Sequence, residues 1–474
     1  MSKPKKSTFY IYICMVDLVA LAKTLNLLII NMKRLLAIIS LFSVAALAII
    51  IVSLLLQRSC FRPNVRLNTE RMQLADSVIL SAIDNGDMPG AVLCVVSRAR
   101  DGESMGRTLY LKAYGNQQVI SPSADGRIIP DTIPMSTDVI FDLASLSKCV
   151  GTTMAVMRLV EQGRLRLTDN VSQYIPNFKP WESKPAKRGE KIEREPITIN
   201  HLLTHTSGLP AAIHVPTFME RYEKWGDPTT MNLRDSLITY LAAEAERRTR
   251  PSEVMLYSCL NFITLQAIIE TITQQRLDHF LNQELFTPLK LKNTWYNHID
   301  EPTPFDPSVP IAPTELQEDG TLLRGEVHDP TARIVNRGVS GNAGVFSTAE
   351  DLAVIASMLM NDGVIRIPSD RLTDHITGGE RLRLFSEATI DRFLELDPAL
   401  AHHGRTLGWA AGFFGDLGSR HSFNHTGYTG TSMAIDRQRG VAVILLSNRV
   451  HPHDKGSLAR TRAVVSNIVA SALD

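Results

Sequence analysis

"FDLASLSKCV", residues 141–150, places Ser145 and Lys148 three positions apart at the head of an apolar helical run. Leu146, Val150, Met154, Met157 and Val160 repeat at helical spacing, and Gly163 follows as a stop signal. The spacing predicts a helix with Ser145 in its first turn. There, free backbone N–H groups and the positive end of the helix dipole meet any oxygen that gains charge. A serine so placed can attack a carbonyl while its own N–H faces the developing oxyanion. Lys148, one turn on, would sit beside the hydroxyl; as a base it must be neutral, which requires burial or nearby positive charge. Ser2 and Lys5 share the same spacing, so the pair alone does not separate a nucleophile from a helix cap and a surface lysine.

Two other stretches bear on that choice. In "LYSCLNFITLQAIIE" (256–270), Tyr257 stands at a loop-to-helix junction, where a phenol can project into a cleft and relay a proton between cationic groups. In "FNHTGYTGTSMAID" (423–436), His425-Thr426-Gly427 precedes a strand. Gly427 would let a substrate backbone approach the sheet edge, and the Tyr428 N–H could be a second oxyanion donor. His402-His403-Gly404 fits the same short pattern, so this motif too is weak by itself.

Further out, the sequence reads as strands at both ends of the chain. "AVLCVVSRAR" (91–100) and "TLYLKAYG" (108–115) flank the turn-rich "DGESMG"; "TSMAID" (431–436) and "VAVILLSN" (441–448) flank "RQRG". Helical periodicity marks 69–84 (Met72, Ala75, Ile79, Ala82, Ile83) and 457–473, and dominates the middle. The expected architecture is α+β: one antiparallel sheet built from both chain ends, covered by helices, with a largely helical subdomain inserted. The charged, Pro-bounded stretch 180–196 reads as a solvated loop.

Residues 35–56, "LLAIISLFSVAALAIIIVSLLL", carry no charge and follow Lys33-Arg34. That is long enough for a transmembrane helix, with the flanking charges favouring a cytoplasmic N-terminus and an exported remainder. The expected division is an upstream extension over 1–31, an uncleaved anchor over 32–60, a linker over 61–67 and one catalytic domain over 68–474. The 474 residues include 50 Lys+Arg and 49 Asp+Glu, a net charge of +1, so no global basic field draws the chain to nucleic acid. Five scattered cysteines (Cys14, Cys60, Cys94, Cys149, Cys259) form no CxxC pair and read as free, mostly buried thiols. No pattern calls for a metal, a nucleotide or another cofactor, and the oligomeric state is not legible.

Taken together, Ser145-x-x-Lys148, Tyr257 and His425-Thr426-Gly427 resemble, in order and spacing, the serine β-lactamase and penicillin-binding protein superfamily, most of all its class C and esterase branch. "ITINHLLTHTSGLP" (197–210), "GNAGVFSTAEDLA" (341–353) and "NHTGYTGTSMAID" (424–436) resemble stretches usual in that branch, and the likeness spans roughly 68–474. The resemblance implies a β-lactamase/transpeptidase-like fold and an acyl-serine mechanism. Ser145 would be nucleophile, Lys148 base and Tyr257 proton relay, with His425 completing the catalytic set and the N–H groups of Ser145 and Tyr428 forming the oxyanion hole. Cys259, Thr426, Gly427 and His328 would contact substrate. A Tyr-x-Asn at Tyr114–Asn116 precedes the serine and is a decoy.

Two departures from the family pattern bear on substrate. Where the superfamily commonly has Tyr-x-Asn, this chain has Tyr257-Ser258-Cys259, and a thiol is a weak donor and acceptor. Where many β-lactamases have Lys, it has His425, largely neutral at pH 7, which favours neutral esters or modified amides over carboxylate-bearing substrates. The expected function is a membrane-anchored, extracytoplasmic (bacterial periplasmic) serine hydrolase of ester or amide substrates, including cell-wall peptides. A DD-carboxypeptidase, a β-lactamase, or a silent sensor of cell-wall fragments are the alternatives. His205 reads as structural at a helix end, His328 and Asp329 as cleft or loop residues, and Trp409 as core or wall.

Overall fold

The structure is a computed structural model that describes residues 65–99, 106–185, 187, 191–223, 232–367 and 380–473, with scattered positions between 23 and 47. The chain divides into two units, residues 1–64 and 65–474. The expected extension and anchor, with Cys14 and Cys60, lie outside the described residues apart from those scattered helical positions. No described helix is long and apolar enough to cross a membrane.

The second unit is organised by one seven-stranded antiparallel sheet. Its N-terminal part is β1 (Gly90–Ser97), β2 (Thr108–Pro122) and β3 (Ile128–Pro134); its C-terminal part is β4 (Ala410–Ala411), β5 (Ser422–Thr426), β6 (Ser432–Asp436) and β7 (Val441–Ser447). The strand order is β4-β5-β6-β7-β1-β2-β3, so the chain ends meet where β1 pairs with β7, from Ala91 opposite Ser447 to Ser97 opposite Val441. Every residue of both strands is buried. The reason is that both faces of the sheet are covered, which removes the polar half of the usual alternation. Ala91, Leu93 and Val95 pack with Met72, Ile79, Val465 and Val469 of the terminal helices α1 (Thr69–Asp84) and α5 (Ala459–Ser471). Val92, Cys94 and Val96 turn the other way, into the main core. A bridge between Leu67 and Leu473, and the Asn68 N–H donated to Ala472 O at 2.8 Å, bring the two ends of this unit side by side.

The middle of the chain is mainly helical, as its periodicity predicts. The site uses three of its helical pieces: α2 (Met154–Glu161), α3 (Cys259–Thr273) and α4 (Ala349–Met360). Asn68 caps α1 by accepting the Arg71 N–H, Ser258 caps α3 by accepting that of Asn261, and Thr348 caps α4 by accepting that of Asp351. The stretch read as a loop at 180–196 carries a short ribbon, Trp181–Glu182 paired with Arg194–Glu195. Trp409 is buried against Phe423, as core. Tyr114, in the decoy motif, is buried with its hydroxyl donating to Asp76 at 2.6 Å. Cys94 and Cys149 are buried free thiols and Cys259 is half-buried.

Candidate active site

The helix that carries Ser145 and Lys148 is not uniform. It opens as a 3₁₀ turn (Ala144–Leu146), widens to a π turn (Lys148–Thr153) and only then becomes α2. π turns are rare and concentrate at functional sites. Ala144, just before the serine, lies in the left-handed region at φ 45°. A β-carbon is disfavoured there by about 1–3 kcal/mol, so the surroundings must fix it. They do so from two sides. The buried carboxylate of Asp142 accepts the Ala144 N–H at 2.8 Å and the His328 N–H at 2.7 Å. From the loop after β5, Thr429 Oγ1 donates to Asp142 O at 2.7 Å and Thr431 Oγ1 to Leu143 O at 2.9 Å. Burial holds the Asp142 carboxyl above its ordinary range despite those donors.

This stitching also gives Gly427 a structural reason. A Cβ at Gly427 would fall inside contact distance of Thr431 Oγ1 and Leu143 O, so the glycine admits the segment carrying Ser145. The Tyr428 N–H makes no hydrogen bond to a protein acceptor among the described residues, which leaves it able to serve an oxyanion.

Lys148 is fully buried, and its Nζ lies 2.9 Å from both Ser145 Oγ and Asn342 O. The acceptor is a backbone carbonyl of the stretch 341–353, held by neighbours: Gln266 Oε1 accepts the Gly341 N–H at 2.9 Å and Thr152 Oγ1 donates to Gly341 O at 2.7 Å. Burial pushes Lys148 down, but the negative charge that Cys259 and Tyr257 carry when ionised pushes harder the other way, and its pKa ends above the usual lysine value. Lys148 Nζ donates to Asn342 O and lies within hydrogen-bond reach of Ser145 Oγ.

Tyr257 faces that nitrogen, with Lys148 Nζ 5.2 Å from its ring centroid, and is 39% exposed, so the phenol borders the cleft. The residue that places it is His205. Its backbone (φ 57°) and ring brace both flanks of Tyr257: His205 O accepts the Leu256 N–H at 2.8 Å and Nδ1 accepts the Ser258 N–H at 3.1 Å. The two rings pack at 4.4 Å between centroids. His205 is thus structural, as expected, and what it positions is Tyr257. Cys259 opens α3, with its N–H donated to Ala211 O at 2.7 Å; Asn261 instead accepts from Ser207 Oγ and faces His205 Nδ1 at 3.3 Å.

His425 is buried on β5, and its Nδ1–H donates to Thr426 O at 2.8 Å. Burial first, then the charges of Arg405 and Lys148, hold its pKa well below the ordinary histidine range. His205 is lowered by the same causes. Both rings are neutral at pH 7. Arg405 itself is buried, with Nε and Nη2 lacking partners; no feature of its surrounding sequence announces it. A cleft of about 300 Å³ is lined by Ser145, Tyr257, Thr426, Gly427 and Tyr428, and by Arg449 and Arg462 at its other end. Among the residues assigned to substrate, Thr426 and Gly427 are on that lining. His328 reaches it indirectly, stacked at 5.7 Å on Tyr428, while Cys259 is half-buried and is not on the lining.

Comparison with known proteins agrees with this geometry. The profile of the Beta-lactamase family matches residues 72–467. An N-acetylmuramyl-L-alanine amidase of Bacillus subtilis is 33% identical over 407 residues, covering 81% of this chain and 82% of that protein. A Salmonella enteritidis protein provisionally named a D-alanyl-D-alanine carboxypeptidase is 28% identical over 428 residues, covering 86% and 89%. Among solved structures, the hydrolase EstCE1, with promiscuous acyltransferase activity, superposes with a TM-score of 0.58 at 23% identity, covering 85% of this chain and 99% of its own. A penicillin-binding protein homologue from Pyrococcus abyssi gives 0.56 at 19% identity, covering 85% and 76%. At these identities the structural matches speak for the fold alone.

Proposed function

The chain belongs to the Beta-lactamase family of serine hydrolases, and on that premise we propose that Ser145 forms an acyl-enzyme with ester or amide substrates, cell-wall peptides among them. One observation carries this reading: the 2.9 Å contact of the buried Lys148 Nζ with Ser145 Oγ, beside the Tyr257 phenol. Ser145 Oγ attacks the substrate carbonyl, and its proton passes to the adjacent Lys148–Tyr257 pair. The carbonyl oxygen, now negative, sits between the N–H groups of Ser145 and Tyr428. Lys148 orients the hydroxyl, while Tyr257 returns the proton to the leaving alcohol or amine. Water then attacks the acyl carbon and frees Ser145.

The names of the relatives, an amidase and a carboxypeptidase, favour wall-peptide amides as the class to test after simple esters. The apolar run at 35–56, behind Lys33-Arg34, supports an anchored enzyme working outside the cytoplasm, where such substrates are found. The test is hydrolysis of p-nitrophenyl butyrate by the protein and by Ser145→Ala. Turnover should fall by about 10⁴-fold or more in the variant. Equal rates in the two proteins, with wall peptides also left uncut, would remove the proposal.

A further inference from the structure

Arg405 is a charge inside the fold that the fold does not pair. It is 5% exposed, its Nε and Nη2 are buried without partners, and its side chain makes no hydrogen bond or ion pair among the described residues. Its backbone leans on the site from behind. Arg405 bridges to Ala410 of β4, and Ala410 lies opposite Asn424, the neighbour of His425 on β5. Three residues on, the Gly408 N–H is donated to Leu203 O at 3.1 Å, and Gly408 O accepts the Cys149 thiol at 3.2 Å. The segment 405–408 is thereby wedged between the turn that carries His205 and the residue that follows Lys148. The groups that feel the guanidinium are Cys149, Tyr257, His205 and His425. None of the four is a carboxylate, and burial pushes the Cys149 thiol up, so it is neutral and offers no counter-charge.

Keeping a buried cation without a counter-charge is costly. Its use lies in the rings around the relay tyrosine. Tyr257 packs against two imidazoles, His205 at 4.4 Å and His425 at 6.1 Å between ring centroids. Only a bare Nδ1 can accept the Ser258 N–H, as that of His205 does. A proton there would set donor against donor and release the backbone beside Tyr257. His205 is fully buried and its Nε2 has no acceptor, and neither ring is in an ion pair with a carboxylate among the described residues, so no anion holds an imidazolium in place. We propose that Arg405 is a positioning residue that acts through these rings: its unpaired charge keeps a proton off His205 and His425, and so keeps Tyr257 in its brace. After burial, Arg405 is the first charge that lowers both imidazoles, followed by Lys148, and for His205 by His425 as well. The inference rests on the acyl-serine reading above and deepens it, because Tyr257 carries the proton there.

The experiment is the pH profile of kcat for p-nitrophenyl butyrate in the protein, Arg405→Met and Arg405→Lys. With the charge gone, both rings take up a proton at higher pH. The acidic limb should therefore move up by about one pH unit in Arg405→Met, a loss of about tenfold along that limb, while KM barely moves. At about pH 8, where the rings are neutral in either protein, the two rates should agree within about threefold. Arg405→Lys should return the limb to its place. The melting temperature of Arg405→Met at that pH should hold or rise, because an unpaired buried charge has been removed. A limb that stays where it was, a loss equal at every pH, or a lysine variant that behaves like the methionine one would overturn the inference. So would failure of both Arg405→Met and Arg405→Gln to fold while Arg405→Lys folds, since the charge would then serve the fold. The rings can also be read without turnover, by nitrogen-15 NMR of histidine-labelled Ser145→Ala, with signals assigned through His205→Gln and His425→Gln. The neutral-ring signals should persist to lower pH in Ser145→Ala than in Ser145→Ala with Arg405→Met, and identical titrations would overturn the inference. Hydrolysis of no ester by the parent would strike the acyl-serine reading, while this titration would still decide what Arg405 does to the rings.

Discussion

The two ends of the cleft are built on opposite terms. At the Ser145 end, polar groups are matched inside the protein: Lys148 spans Ser145 and Asn342, Asp142 holds Ala144 and His328, and His205 braces both sides of Tyr257. At the Arg462 end, Nε is buried with no hydrogen-bond partner among the described residues. The difference is one of preparation: groups at the Ser145 end are held in place by the fold, which is what preorganisation requires.

Removing one atom from the matched end should cost the most. Tyr257→Phe preserves the packing on His205 and deletes only the hydroxyl, so kcat for ester hydrolysis should drop about 10²- to 10⁴-fold with the melting temperature held. A variant as active as the parent would take Tyr257 out of the proton path. Acid should come next. His451 is buried between the Val119 N–H, accepted by Nε2 at 3.0 Å, and Thr314 O at 3.0 Å from Nδ1. Burial lowers its pKa to about 4, well below the ordinary histidine range. Its folded pKa is depressed, so the unfolded chain binds the proton first. The contribution is complete above pH 6.5 and is lost as pH falls toward 4, by about 3 kcal/mol. His205 and His425 act in the same direction, while Asp142, raised by burial, opposes them. Denaturant titrations at several pH values should therefore show the gap between the protein and His451→Gln closing as pH drops from 7 to 4. A constant gap would contradict this.

Smaller effects test how far the matched end depends on its supports. His205→Ala leaves the Ser258 N–H without its buried acceptor and should destabilise the fold by about 1–3 kcal/mol. At a temperature where the variant is still folded, kcat should fall while KM for a neutral ester barely moves, because Tyr257 loses its brace but the cleft is kept. A change in KM alone would mean that His205 shapes the cleft instead. Cys259→Asn should have the least effect: a donor and acceptor beside Lys148 should raise amide turnover relative to ester turnover by about threefold. An unchanged ratio would show that position 259 does not meet the substrate.

Much of this could be read from the sequence because it is written in periodicity. The helices at 69–84 and 459–471 and the strands β1, β2, β6 and β7 fall where apolar spacing and turn residues put them. Ser145, Lys148 and Tyr257 also come together as their motifs imply. What stayed hidden has physical reasons. The π turn at Lys148 leaves residue spacing unchanged, so no side-chain pattern betrays it. Asn342 works through its backbone carbonyl, which has no sequence signature. The packing of Gly427 against Leu143 was not legible, because Leu143 O, one of the atoms that exclude a side chain there, lies far away in the chain. Arg462 lies on the last helix, among other arginines, and only the return of α5 to the cleft distinguishes it.

The bridge between Leu67 and Leu473 has a consequence for how this unit can be handled. A chain that starts and finishes at one spot is close to a closed loop, and its backbone order is almost arbitrary there. Joining residue 473 to residue 65 through a short glycine linker and reopening the exposed turn at Asp125–Gly126 would give a circular permutant with all seven strands in place. In such a permutant β1 and β7 become near neighbours along the chain instead of its opposite extremes. Their pairing would no longer wait for the whole polypeptide to be present, and folding should quicken accordingly.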